Sequence, residues 1–122
     1  MNIEVLKTML ESENVACDIA MSGKQALELF EGRLTEERCS YKLILLDYSM
    51  PEMDGPEVAR LMRQVCDNLS CSQCMPYIVC CSAYGGENSF KRQALEAGMN
   101  EFKRKPLSHD DVLRILAHTK SR

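Results

Sequence analysis

This sequence lacks the features that would place it in a membrane, outside the cell or on a nucleic acid. No stretch approaches the ~20 consecutive apolar residues that a membrane-spanning helix needs. The amino terminus has no basic segment followed by an apolar one, the pattern of a secretory signal. The formal net charge is -3, so the chain has no basic excess for gripping nucleic acid. We therefore expect a cytoplasmic, reducing location and neither a membrane nor a nucleic-acid partner.

The seven cysteines do not form a recognisable metal site. Cys71 and Cys74 make one C-x-x-C pair, but no second pair follows, and His109 and His118 lie far along the chain. A structural zinc ion needs about four ligands. An odd number of cysteines without a secretion signal favours free thiols. We therefore predict that residues 66–75 form a loop with incidental thiols, and we rank a zinc or redox role well below that reading.

The length of 122 residues and the 45% hydrophobic content fit one domain, spanning residues 1–122. Apolar residues at helical spacing alternate with short apolar runs along the chain, and there is no internal repeat. This alternation predicts an α/β fold, with a parallel sheet and helices on both of its faces. The predicted order is a helix followed by four strand–helix units, with strands at residues 15–20, 43–46, 77–81 and 101–104.

Side chains that can cap helices stand before three of the predicted helices. Ser22 and Gln25, and Ser108 and Asp111, have the spacing of capping boxes. Asp54 stands where it can cap a helix that begins with a glycine and a proline. These residues fix where the helices start relative to the strands.

Polar residues of three kinds follow the ends of three predicted strands. Asp47, Ser82 and Lys105 each close a predicted strand, and parallel strands bring such ends to one edge of the sheet. Taken singly they have ordinary explanations: a turn former, a backbone cap and a surface charge. Together they suit phosphoryl transfer, because a carboxylate can form an acyl phosphate while a hydroxyl and an ammonium offset charge on the phosphoryl oxygens.

Three segments resemble the response-regulator receiver domains of two-component and phosphorelay signalling. Residues 46–55 read LDYSMPEMDG, which resembles the family's phosphoacceptor signature, hDxxMPxMDG. Residues 81–83 resemble its Ser/Thr-Ala step, and residues 97–106 resemble its last strand, which ends in Lys-Pro. The resemblance runs from residue 2 to about residue 117. It implies a flavodoxin-like, doubly wound parallel sheet.

The same resemblance implies a role for each matching residue. Asp47 would accept a phosphoryl group from a phosphohistidine of a histidine kinase or phosphotransfer protein, with Mg²⁺ as cofactor. Ser82 would be the switch hydroxyl and Lys105 the phosphate-pairing cation. Phe102 matches the switch aromatic, and Pro106 would follow a cis peptide bond. The expected outcome is a changed protein-binding face, with no enzymatic activity beyond self-catalysed phosphoryl transfer and hydrolysis.

The start of the sequence departs from the family pattern. Family members open with an apolar strand and an acidic pair, whereas this sequence begins inside the segment that resembles the first helix. We therefore expect an N-terminally incomplete receiver domain without the first strand. The remaining protein ligands for Mg²⁺ would be Asp47 and the backbone carbonyl of Ser49, so metal binding should be weakened or lost. A missing interior strand also predicts self-association that completes the sheet.

Two other functions fit the sequence less well. The chain could be a receiver-like binding module that cannot be phosphorylated, or a fragment of a hybrid kinase; the missing acidic pair favours this. A more remote alternative is a phosphohydrolase of the haloacid-dehalogenase type with an aspartate nucleophile. Such enzymes carry a DxD motif, and here Ser49 stands two positions after Asp47.

Overall fold

The computed structural model describes residues 3–15, 18, 20, 22–33, 41–48, 52–68, 76–82, 88–104 and 107–120. Within them, helices and parallel strands alternate from the second helix onward. No described helix is both long and apolar enough to span a membrane. The strands are β1 (Leu43–Asp47), β2 (Tyr77–Ser82) and β3 (Glu101–Arg104). The helices are α1 (Ile3–Ser12), α2 (Gly23–Arg33), α3 (Gly55–Asn68), α4 (Asn88–Glu96) and α5 (His109–Lys120).

The described sheet has the order β1-β2-β3, and both strand pairs are parallel. Asp47 is the register partner of Cys81, and Ser82 is the partner of Arg104. The carboxyl ends of all three strands therefore lie at one edge of the sheet. β2 is the central strand, and its inner residues from Ile78 to Cys80 are fully buried.

Alternate residues of each strand point to opposite faces of the sheet, so both faces carry apolar side chains. Helices cover both faces. One face packs against α2, α3 and α4, and the other against α1 and α5. The α/β class and the doubly wound arrangement predicted from the sequence are confirmed. The largest buried side chains of the first core include Phe30, Met62 and Ile78, and those of the second include Val79, Val112 and Ile115.

Three of the four predicted strands are confirmed, and two of them are one residue longer than predicted. The strand predicted at residues 15–20 is not found among the described residues of that segment. Val15, Asp18 and Ala20 are described and none of them is in a strand, while residues 16, 17 and 19 lie outside the described part. A strand forms only where a neighbour satisfies its backbone hydrogen bonds. Among the described residues, β1 has such a neighbour on its β2 side alone.

The loop predicted at residues 66–75 was placed too early. Helix α3 continues to Asn68, and Cys66 lies within it with 3% of its surface exposed. Burial of this side chain against the first core extends the helix by almost one turn beyond the predicted end. Residues 69–75, including Cys71 and Cys74, lie outside the described part of the chain.

The predicted helix caps are present. At α5 the Asp111 N–H donates to Ser108 Oγ at 3.0 Å, and the Ser108 N–H donates to Asp111 Oδ2 at 3.1 Å. This backbone hydrogen bond from Ser108 lowers the pKa of Asp111. The lowered pKa of Asp111 stabilises the folded state at pH values above the unfolded-state pKa of this carboxyl. This stabilisation is lost as the pH falls through the lower folded-state pKa. Ser22 Oγ and Asp54 Oδ1 accept the corresponding bonds at α2 and α3, from Gln25 and Glu57.

The start of α3 lies unusually close to the end of β1. The Gly55 N–H donates to the Tyr48 carbonyl at 2.8 Å. A Cβ atom at Gly55 would stand 2.5 Å from the backbone oxygen of Asp47, closer than real Cβ contacts come. Glycine at this position therefore lets the helix begin directly against Asp47, the predicted phosphoacceptor.

We predict that Gly55→Ala lowers the free energy of unfolding by about 1–3 kcal/mol, because the added methyl group clashes with backbone rather than with a mobile side chain. Gly32→Ala in α2 is the matched control. A Cβ there meets nothing within 4 Å, so alanine should raise stability by roughly 0.5–1 kcal/mol through its helix preference. Urea denaturation measures both values. Equal effects of the two substitutions would contradict the close approach.

Candidate functional site

Asp47 is the last residue of β1 and is half-buried at the carboxyl edge of the sheet. The backbone just after it is held from two sides. The Tyr48 N–H donates to the carbonyl of Cys81 on β2, and the Tyr48 carbonyl accepts from Gly55 on α3, both at 2.8 Å. The position of Asp47 is thus fixed relative to the central strand and to the start of α3.

The structure brings Ser82 to the same edge. Ser82 ends β2 directly after Cys81, the register partner of Asp47, and only 3% of its surface is exposed. Phe102 lies one strand further along, beside Cys80, and is half-buried. Arg104 ends β3 beside Ser82 and is exposed. The other predicted site residues, Ser49, Lys105 and Pro106, lie outside the described residues.

The Cys80 thiol near this edge is a poor nucleophile. Burial, reinforced by neighbouring Cys81 and by the Asp47 carboxylate, raises the pKa of Cys80 to about 12. Because nucleophilic attack needs the thiolate, this thiol stays unreactive near neutral pH. The three described cysteines, Cys66, Cys80 and Cys81, are all buried thiols. The described edge also holds the carboxylate of Asp47 and the hydroxyl of Ser82, and both groups are of kinds that can act as nucleophiles.

A hydrogen bond that the sequence analysis missed joins this edge to α4. Tyr48 is 9% exposed within the first core, and its hydroxyl donates to Oε1 of Gln93. Burial, then the nearby Asp54 carboxylate, raises the pKa of Tyr48, so its hydroxyl remains a donor at neutral pH. The hydroxyl of a buried tyrosine usually has a hydrogen-bond partner, so Tyr48 itself indicated that some partner exists. Nothing in the sequence marks Gln93, which reads as an ordinary exposed helix residue.

The described residues do not by themselves fit a magnesium site. Mg²⁺ prefers octahedral oxygen coordination, with carboxylates and several waters. Asp47 supplies one carboxylate, whereas an oxygen of Asp54 accepts the capping bond of α3. The described ranges contain no cluster of three or more His, Cys, Asp or Glu side chains that could hold a metal ion.

Comparison with known proteins identifies the family. Residues 1–117 match the family described as the response regulator receiver domain. The chain is 31% identical over 119 residues to hybrid signal transduction histidine kinase B of Dictyostelium discoideum, covering 92% of this chain and 6% of that protein. It is 32% identical over 108 residues to the aerobic respiration control sensor protein ArcB of Escherichia coli K12, covering 88% of this chain and 12% of ArcB. The chain therefore spans a small part of these relatives.

A solved structure agrees with this assignment. It is the receiver domain of a sensor histidine kinase from Pseudomonas aeruginosa PAO1, described with a magnesium ion coordinated in its active site cleft. The TM-score is 0.73 with 25% sequence identity, over 98% of this chain and 88% of that one. Receiver domains are signalling domains. The sequence match covers all three described strands, helices α1 to α4 and most of α5. The chain belongs to the response regulator receiver domain family.

Proposed function

We propose that Asp47 accepts a phosphoryl group from a phosphohistidine of a histidine kinase or phosphotransfer protein, and that the added charge changes a protein-binding face. The observation that carries this proposal is the position of Asp47 at the carboxyl edge of the sheet, one register step from buried Ser82. Similarity to the hybrid kinase and to ArcB supports a histidine-kinase source of the phosphoryl group. The domain would act as a signalling element rather than as a turnover enzyme.

In this reaction a carboxylate oxygen of Asp47 attacks phosphorus as the bond from phosphorus to the histidine nitrogen breaks. The electron pair of that bond leaves with the imidazole, and an acyl phosphate forms on Asp47. The Ser82 hydroxyl can then donate to a phosphoryl oxygen, and we propose Lys105 as the cation that pairs with another. Phe102 would respond to the movement of Ser82. The charge at position 47 changes from one negative to about two.

We predict that acetyl phosphate adds a single phosphoryl group to the chain, and that Asp47→Asn abolishes this addition because an amide is not a nucleophile toward phosphorus. Asp67→Asn, at an exposed position of α3, is the matched control and should be labelled like the parent chain. Intact-mass spectrometry measures the added group. Undiminished label on Asp47→Asn would refute the assignment, whereas no label on the parent chain would favour the alternative of a phosphorylation-incompetent binding module.

Magnesium binding should be weak, because the described edge offers the carboxylate of Asp47 without an acidic cluster around it. We predict that an added N-terminal apolar strand ending in two aspartates tightens Mg²⁺ binding, since more carboxylate charge offsets dehydration of the ion. The control carries the same strand ending in two asparagines. Tyrosine fluorescence follows the titration, because Tyr48 adjoins Asp47. Equal Mg²⁺ affinity of the aspartate version and the unextended chain would contradict the prediction.

The β1 edge suggests a partner of another kind. β1 lies at an edge of the described sheet, and among its residues Leu46 alone is buried, whereas five of the six residues of β2 are buried. Exposed parallel edges recruit other strands. We therefore propose self-association that completes the sheet, and predict a mass above the monomer that grows with concentration in light scattering. The strand-extended chain should remain monomeric. A concentration-independent melt of a monomer, equal in both chains, would contradict this.

A further inference from the structure

The hydrogen bond between Tyr48 and Gln93 connects α4 to the residue that directly follows Asp47. The two side chains are 45 positions apart in sequence, so the bond ties together distant parts of the chain. Gln93 lies in the second half of α4, and apart from this bond its side chain faces solvent. This bond is made by neither Ser82 nor Phe102, to which the receiver resemblance assigns the switching roles.

Tyr48 is held by a different element at each of its polar groups. Its N–H donates to Cys81 on β2, its carbonyl accepts from Gly55 on α3, and its hydroxyl donates to Gln93 on α4. Asp47 precedes Tyr48 by one peptide unit, so a shift of the Asp47 backbone acts directly on the residue that makes these bonds. The Cys81 bond leads to β2 and the Gly55 bond to α3, and the hydroxyl bond is the one of the three that reaches α4.

Helix α4 is seated on the same core that buries the Tyr48 ring. Ala94 and Ala97 are fully buried in that core with Tyr48 and Met99. The end of the helix is closed by a hydrogen bond from the Met99 N–H to the Ala94 carbonyl, with Gly98 at a φ of 99°. This is the geometry of a glycine-closed helix end. The hydroxyl bond and the shared core therefore both connect Tyr48 to α4 and its closed end.

We propose that Gln93 is a positioning residue for Asp47: through the Tyr48 hydroxyl it fixes the end of β1 and couples the charge at Asp47 to the position of α4. The signalling consequence rests on the proposed phosphoryl acceptance, but the coupling itself does not. Because coupling between two equilibria is reciprocal, a protein whose affinity for α4 depends on the charge at Asp47 would shift the equilibrium that changes this charge by the same free energy.

The test is a double-mutant cycle on the full chain, followed by backbone amide chemical shifts. Asp47→Asn removes the charge without any phosphoryl donor. Gln93→Met removes the acceptor at nearly constant side-chain length, and Gln64→Met, at an exposed glutamine of α3, is its matched control. Tyr48→Phe removes the donor of the same hydrogen bond. Either variant can therefore be used alone if the other does not fold.

We expect Asp47→Asn to shift the amides of residues 91–96, and these shifts to shrink about twofold or more in the Gln93→Met and Tyr48→Phe backgrounds. The Gln64→Met background should retain them in full. Hydrogen-exchange protection of the Tyr48 amide should also fall about fivefold in Gln93→Met, consistent with loss of one hydrogen bond.

Equal α4 shifts in the Gln93→Met and Gln64→Met backgrounds would overturn the proposal. Additive effects of Gln93→Met and Tyr48→Phe in the double variant would also overturn the proposal. Each substitution removes the same hydrogen bond, so the second should add little to the first. Labelling with acetyl phosphate is measured separately on the parent chain. Absence of label there would count against the proposed function alone, because the cycle on Asp47→Asn does not use a phosphoryl group.

Discussion

The parallel pairing of β1 with β2 is the constraint on which the rest of this structure depends. It sets Asp47 beside Cys81, which brings the carboxylate to the same edge as Ser82. The pairing continues one residue beyond the strand, where the Tyr48 N–H donates to the Cys81 carbonyl. A slip of one residue would turn Asp47 into the core and bring Tyr48 to the edge, because strand side chains alternate between faces. The chemistry of the site is therefore a consequence of register.

The packing on either side of the sheet protects that register. Alternate residues of β2 are buried in two separate cores, one beneath α2, α3 and α4 and one beneath α1 and α5. Moving β2 along its axis would disrupt both cores at once. Gly55 adds a local restraint, because α3 can begin against the Asp47 carbonyl only when no side chain intervenes. The phosphoacceptor candidate is thus held by packing that lies mostly outside the site itself.

Much of this arrangement could be predicted from local sequence patterns. Short apolar runs that end in Asp47 and Ser82 predicted both the strands and the edge, and Ser108 and Asp111 predicted a helix start that the structure contains. The errors come from tertiary contacts. Burial of Cys66 prolongs α3, which no local signal indicated. The partner of Tyr48 was equally unpredictable, because an exposed helical glutamine looks the same whether or not a distant hydroxyl reaches it.

The proposed function requires that the carboxylate of Asp47 form an acyl phosphate. Borohydride reduces an acyl phosphate to an alcohol, and so converts a phosphorylated aspartate to homoserine, which peptide mass spectrometry locates in the sequence. After treatment with acetyl phosphate, we expect homoserine at position 47, and none there in an untreated sample. Homoserine at another aspartate, or a stable phosphate ester on Ser82 with position 47 unchanged, would contradict it.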